Sequence, residues 1–264
     1  PFYLGRVLGY AVNIVYGSTE TNKTMPKEWR GVNLHPLRQK GLLAKFFYLF
    51  WHAWSIDLLM LFHFSYGTLL LGLTYKLLHP SGILYVKADG LAILAQEEQL
   101  CRSNNWKVKI LCYWFKKLLK KIDKISIEIE DDYKRLCEPV FGISVKDKLT
   151  LMLNGFDEDI LGNLHMEEKT LSQKENIFLT VGRIGSYQKN SEMFLQALKM
   201  IDLKGWKVVF IGPIEKNEND FRVYINSFFQ DNPHLKNVVL FTGPIYDKKV
   251  LWEWYNRAKV FVFT

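Results

Sequence analysis

The feature that most limits what this chain can fold into is a rhythm in its second half. Apolar runs NIFLTVG (176–182), WKVVFIG (206–212) and NVVLFTG (237–243) are each followed by a stretch of helical length, near 190–201, 218–230 and 247–257, and VFVF (260–263) closes the series. The runs are continuously apolar, the pattern of strands buried on both faces of a parallel sheet. The intervening helices supply the two covering layers. Three runs end in glycine, at Gly182, Gly212 and Gly243. A glycine there permits a tight turn and close approach of a ligand, and the carboxyl edge is where open α/β sheets bind ligands.

The first half repeats the pattern less regularly. β-type runs stand at 11–16, 31–37, 56–64, 82–88, 123–130 and 148–153, with helix-length patterns at 40–54, 65–79 and 104–122. A polar stretch, 154–176, separates the halves. The expected architecture is α/β, with two Rossmann-like domains, 1–165 and 166–264, facing each other across a cleft. The chain opens on Pro1 without a leader, and KVFVFT stops inside a strand-type run, so both domains are expected to be truncated. Residues 42–64 are very apolar, but Lys45, His52, Asp57 and His63 interrupt them. A membrane span needs about twenty residues almost free of charge. A buried helix followed by a buried strand is expected instead.

The formal net charge of +8 favours an anionic partner: a phosphate ligand, an anionic lipid or a nucleic acid. No nucleic-acid recognition module is present, which argues against the last. Cys101, Cys112 and Cys137 form no CxxC pair. Reduced thiols in a cytosolic protein are expected.

The junction VGRIGSYQKNSEMFLQAL (181–198) carries the sharpest chemical signal. Arg183 follows the strand and Gly182, and Lys189-Asn190 precedes the next helix. A helix N-terminus favours anions. Arg183 could grip a phosphate bidentately while Lys189 adds a compact charge, so a diphosphate is a natural guest. Two solvated cations beside an N-cap is the alternative.

FLTVGRI…KN…FLQAL resembles the start of the second domain in family 4 (group 1) glycosyltransferases of the GT-B fold. LMLNGFD (151–157) looks like the family's interdomain segment, WKVVFIGP like its second strand, and VVLFTGPIYDKKVLWEWYNRAKVFVFT like the stretch leading to its acidic donor motif. PFYLGRVLGYAVNIVYGSTE, LYVKADG and DKISIEIE are similar to bacterial polysaccharide-biosynthesis members. The resemblance implies a nucleotide-sugar donor, with Arg183 and Lys189 on its diphosphate, and Gly182, Asn190, Gly212, Gly243 and Ile245 lining its site. It implies retention of configuration and no metal or cofactor, the nucleotide-sugar being a substrate. The family's two glutamates, spaced by seven residues, would follow Thr264, and its first strand with a Gly-rich loop would precede Pro1. The supplied chain is therefore expected to lack a complete active site.

In the first half, His63 ends an apolar run and could bond sugar or phosphate; a structural role is the alternative. Asp89, in LYVKADG, could orient the acceptor or cap a helix. Ser126, Glu128 and Glu130 would share one face if 123–130 is a strand, with Glu128 an acceptor-side candidate or merely solvent-exposed. Acidic clusters at 130–132 and 157–159 resemble metal-binding Asp-x-Asp signatures but fit turns and helix starts, so no metal is expected. Residues 106–124 read as an amphipathic helix with lysines opposite an apolar stripe. It suits either a helix packed on the sheet or peripheral contact with an anionic membrane at the inner face. The expected activity is transfer of a sugar from a nucleotide-sugar to a glycan or lipid-linked acceptor. A GT-B nucleotide-sugar epimerase and a non-enzymatic nucleotide- or membrane-binding fragment are the rivals.

Overall fold

A computed structural model describes residues 4–5, 7–18, 25–39, 41–88, 102–155, 162, 164–215 and 220–264. The chain divides into two compact units, Pro1–Gly155 and Phe156–Thr264.

In the first unit the elements run β1 (Val12–Gly17), β2 (Glu28–Trp29), β3 (Val32–Leu37), α1 (Leu42–His52), β4 (Leu58–Phe62), α2 (Tyr66–Leu78), β5 (Ile83–Ala88), α3 (Trp106–Lys121), β6 (Lys124–Ile127), α4 (Glu130–Cys137) and β7 (Leu149–Leu151). They form two sheets. One is parallel, in the order β4-β5-β6-β7. In the other, β3 pairs in parallel with β1 and antiparallel with β2. The core joins Leu84 and Val86 of β5 and Ile125 and Ile127 of β6 to Phe115, Leu118 and Leu119 of α3 and Tyr75 of α2. Two details fix α2. Ser65 caps it, its hydroxyl accepting from the Thr68 N–H at 3.2 Å. Gly72 lets it close on α3, since an added Cβ would stand 2.9 Å from Leu118 Cδ1.

The sequence reading needs two corrections here. Residues 42–64 do form a helix and a strand, but neither is buried throughout. Trp51 of α1 is 77% exposed, and β4 is an edge strand with Leu58 and Phe62 exposed. The run 123–130 is not one strand. β6 stops at Ile127, and Glu130, Asp131 and Asp132 occupy the first turn of α4. Three acidic residues in a row complement the positive end of a helix dipole, and that preference overrides the alternating pattern. The face expected to carry Ser126, Glu128 and Glu130 together therefore does not exist. Among the described residues no helix is long and apolar enough to cross a membrane.

The second unit runs β8 (Glu175–Val181), α5 (Ser191–Leu198), β9 (Lys207–Ile211), α6 (Phe221–Asp231), β10 (Val239–Gly243), α7 (Lys248–Arg257) and β11 (Ala258–Phe261). All four strands are parallel, in the order β10-β9-β8-β11. The expected alternation is thus observed. Leu195, Phe210, Phe221 and Phe228 fill one face of the sheet, and Leu179, Val209 and Ile211 belong to the cluster on the other. Val208 to Ile211, and likewise Ile177 and Leu179, are almost fully buried, which is why β9 and β8 read as continuous apolar runs.

Candidate functional site: the carboxyl edge of the second sheet

The strand order creates a crevice. From β8 the chain moves to β9 and β10 on one side, then returns to place β11 on the other side of β8. The strand order reverses between β8 and β11, and the carboxyl ends of strands at such a reversal are the usual ligand position in open α/β sheets. The loop 182–190 rises from β8 at this point.

Glycines make the loop possible. Gly182 donates its N–H to Ile211 O at 2.9 Å, and Gly212 donates to Gly243 O at 3.0 Å. The three glycine-ended strands are thereby tied side by side. A Cβ on Gly212 would stand 1.8 Å from Gly182 O, so no larger residue fits without separating β8 from β9. Gly185, at φ +83°, lies under Phe221, where a Cβ would meet Cγ at 2.5 Å. Pairing continues past the strands: Ile184 donates to Pro213 O and Glu215 to Ile184 O, each at 2.9 Å.

On this base the loop is closed from inside. Buried Ser186 donates its hydroxyl to Arg183 O at 2.9 Å, and buried Ser191 accepts from the Gly185 N–H at 3.2 Å. Asn190 adopts the left-handed conformation, φ 35° and ψ 46°, which asparagine tolerates. Its Oδ1 accepts from the Met193 N–H at 3.3 Å, capping α5. Its placement in the loop is as expected, with its side chain engaged in capping.

The two cations are held differently. Arg183 is exposed, with Nη2 donating to Gln188 Oε1 at 3.3 Å and Nη1 3.5 Å from Glu215 Oε1. Lys189 is half-buried. Its stem passes over Gly182, whose added Cβ would lie 3.2 Å from Lys189 Cε. Its ammonium sits 4.0 Å from the centre of the Phe263 ring, just beyond β11. Thr264 donates its hydroxyl to Lys189 O. Both cations thus rise from one loop beside the β8–β11 crevice. Ile245, after Gly243, packs half-buried against the Leu179–Ile211 cluster.

Sequence reasoning missed Gln188, Glu215 and Phe263. The local spacing placed Gln188 beside Lys189, but nothing in one dimension announced that a residue from the β9 loop and another past β11 would converge on the same two cations.

The candidates of the first unit lie elsewhere. His63 follows β4 at φ 58°, exposed, its N–H donating to Lys87 O at 2.8 Å and its carbonyl accepting from Thr68 Oγ1 at 2.6 Å. Glu128 lies just past β6, forming an ion pair with Lys87 and accepting a hydrogen bond from Asn154 Nδ2. Ser126 is buried and shares a 2.6 Å hydrogen bond with the Tyr85 hydroxyl. His63, Lys87, Glu128 and Asn154 therefore mark the carboxyl ends of successive strands of this sheet. Of the acidic clusters, Glu130 of 130–132 pairs with Lys134 at 2.8 Å. Asp89 and the cluster 157–159 lie outside the described residues. Cys112 is buried and Cys137 is half-buried.

Comparisons with known proteins bear on the fold and on the second unit's family. Residues 175–264, the second unit from β8 onward, match the family model described as Glycosyl transferases group 1. No curated protein matches the chain in sequence. Among solved structures the chain is similar to Anabaena Alr3699/HepE in complex with UDP and glucose, at 14% identity and a TM-score of 0.59, covering 90% of this chain and 63% of that one. It is similar to a glycosyltransferase from Rickettsia africae ESF-5, at 14% identity and a TM-score of 0.67, covering 99% and 66%. It is also similar to the apo form of the lipopolysaccharide outer core galactosyltransferase WaaB, at 12% identity and a TM-score of 0.53, covering 92% and 62%. The chain spans 62% to 66% of the length of these three structures. At such identities the likeness is one of fold: the α/β class is that of GT-B glycosyltransferases, and the group 1 match covers the second unit.

Proposed function

We propose that this chain binds a nucleotide-sugar through its second unit and belongs to an enzyme that transfers the sugar to a glycan or lipid-linked acceptor. The observation that carries this reading is the pairing of Arg183 and Lys189 on one glycine-supported loop at the β8–β11 crevice. Transfer breaks the bond between the anomeric carbon and the diphosphate, and negative charge builds on the departing diphosphate. Arg183 offers two N–H groups to phosphate oxygens, and Lys189 adds a point charge from a fixed stem. Preorganised cations of this kind stabilise the leaving group without a metal or any other cofactor. Gly182 and Gly212 let the ends of β8 and β9 and the Lys189 stem close up beneath the loop, and backbone at Gly243 and Ile245 serves the nucleoside. Asn190 shapes the loop.

The resemblance of the second unit to group 1 glycosyltransferases supports retention of the sugar's configuration, and the UDP bound in the Anabaena protein supports a uridine nucleotide. On the acceptor side we assign His63 and Glu128, at the carboxyl edge of the first unit's sheet. The apolar stripe of α3 packs on that sheet through Cys112, Phe115, Leu118 and Leu119, leaving its lysines outward for peripheral contact with the cytoplasmic membrane face.

UDP binding to the 264-residue chain, measured by calorimetry, tests the donor assignment. Arg183→Ala and Lys189→Ala should each weaken binding by roughly 10- to 100-fold, the loss of a charge-assisted hydrogen bond of about 1.5–3 kcal/mol, with melting behaviour unchanged. Wild-type affinity in both variants would remove these two residues from the donor site.

A further inference from the structure

The first unit carries exposed apolar side chains that the donor site does not use. The β4–β5 and β5–β6 pairs are parallel neighbours connected through α2 and α3. Right-handed crossovers running in one direction place both helices on the same face of the sheet. α2 packs against α1 as well as α3, so the three helices form one layer. The side of α1 turned from the core carries Phe47 and Trp51, 58% and 77% exposed, and Trp54 follows in the next turn at 72%. α3 adds exposed Tyr113 and Trp114, with the Lys117 ammonium 5.1 and 5.6 Å from the two ring centres.

The charge on this layer has one sign. No aspartate or glutamate stands on α1, α2 or α3, and α3 alone carries six lysines. A nucleic acid would pair with the lysines, but the apolar face of α1 offers phosphates nothing. A protein partner would match the α1 face without needing an acid-free, lysine-rich helix beside it. A bilayer takes both features: lysines meet anionic headgroups, and aromatic rings settle at the boundary with the acyl chains.

We propose that the outer face of the α1–α2–α3 layer docks on an anionic lipid bilayer, with Trp51 and Trp54 inserted beside the lysines of α3. This widens the membrane contact assigned above to α3, on which it rests, into a surface that includes α1.

The test is co-sedimentation of the 264-residue chain with phosphatidylcholine vesicles, with and without roughly a third of phosphatidylglycerol. The wild type should bind the anionic vesicles and release them as salt rises. Lys116→Gln/Lys117→Gln/Lys120→Gln should bind on the order of 100-fold more weakly, at about fivefold per lysine. Trp51→Ser/Trp54→Ser should lose about tenfold or more, with UDP affinity unchanged. If that double variant melts early, Phe47→Ser takes its place. Wild-type binding by the α1 variant refutes this inference and leaves the α3 contact standing. Equal binding to neutral vesicles, no vesicle binding, or tighter binding to a single-stranded oligonucleotide refutes both, while UDP affinity judges the donor site independently.

Discussion

Gly212→Ala probes the base on which the 182–190 loop stands, and its cost can be worked from the structure. The new Cβ would lie 1.8 Å from Gly182 O and 2.8 Å from its carbonyl carbon. Carbon and carbonyl oxygen approach no closer than about 3.3 Å in ordinary contacts, so the ends of β8 and β9 must part by roughly 1.5 Å. The obstacle is backbone, and no rotamer relieves it. That separation strains the bonds from Gly182 to Ile211, from Gly212 to Gly243 and from Ile184 to Pro213, now 2.9, 3.0 and 2.9 Å long. At about 1 kcal/mol net each, losing two or three costs about 2–3 kcal/mol. Position 212 also has φ +145°, a conformation that costs a residue with a side chain about 1–3 kcal/mol. The expected loss is about 3–6 kcal/mol, a large share of the ~5–15 kcal/mol that holds a domain folded. Urea unfolding followed by fluorescence would report it as a lower midpoint. Gly243→Ala is the control: φ is +76°, but no atom lies within 4 Å of the added Cβ. It should cost only about 1–2 kcal/mol, the penalty of a left-handed residue. A Gly212→Ala loss under about 1 kcal/mol, or one equal to that of Gly243→Ala, would refute the argument from close approach.

Two further outcomes are expected. Phe263→Leu removes the ring under the Lys189 ammonium, worth about 0.5–2 kcal/mol. UDP should bind about 2- to 30-fold more weakly while uridine, which lacks phosphates, binds as before; a drop common to both would show that the ring serves the nucleoside. Glu175 has its carboxyl pKa held down by the hydrogen bond from Arg257, whose Nε donates to Oε1 at 2.6 Å. A depressed carboxylate pKa contributes stability above its unfolded value and loses it as pH falls through the folded value. Glu175→Gln should therefore melt slightly below wild type at neutral pH, by under about 1 kcal/mol because both side chains are well exposed, and the two curves should merge below the ordinary carboxylate range. A gap that persists in acid would mean that the pair does not act through charge.

The second unit was legible because its signals are local. A continuously apolar run can satisfy only a strand covered on both faces, and glycine at 182, 212 and 243 announced turns at one edge. The loop's cations were readable for the same reason, since Arg183 and Lys189 sit between a strand and a helix that fix them. What stayed hidden depends on distant chain. Glu215 and Phe263 reach the loop from β9 and β11. Glu128 gained Lys87 and Asn154 as partners only once three strands lay side by side. The first unit misled in another way: an apolar segment such as 42–64 predicts burial, yet the same composition serves a helix that leaves Phe47 and Trp51 in solvent. Periodicity identifies the apolar stripe of a helix but not what covers it.

The return of the chain from β10 to β11 also bears on how the unit is made. Glu175 and Ala258, paired across β8 and β11, are 83 residues apart in sequence (258 − 175). Closing so long a loop costs chain entropy before the new pairing repays it, so contacts of this separation form late. β8 and its loop can associate with β9 early, but the ring beneath Lys189 arrives only when β11 docks. The contact between the Lys189 ammonium and the Phe263 ring is therefore among the last features this unit acquires as it folds, so the Lys189 side chain takes up its final setting only when the sheet is complete.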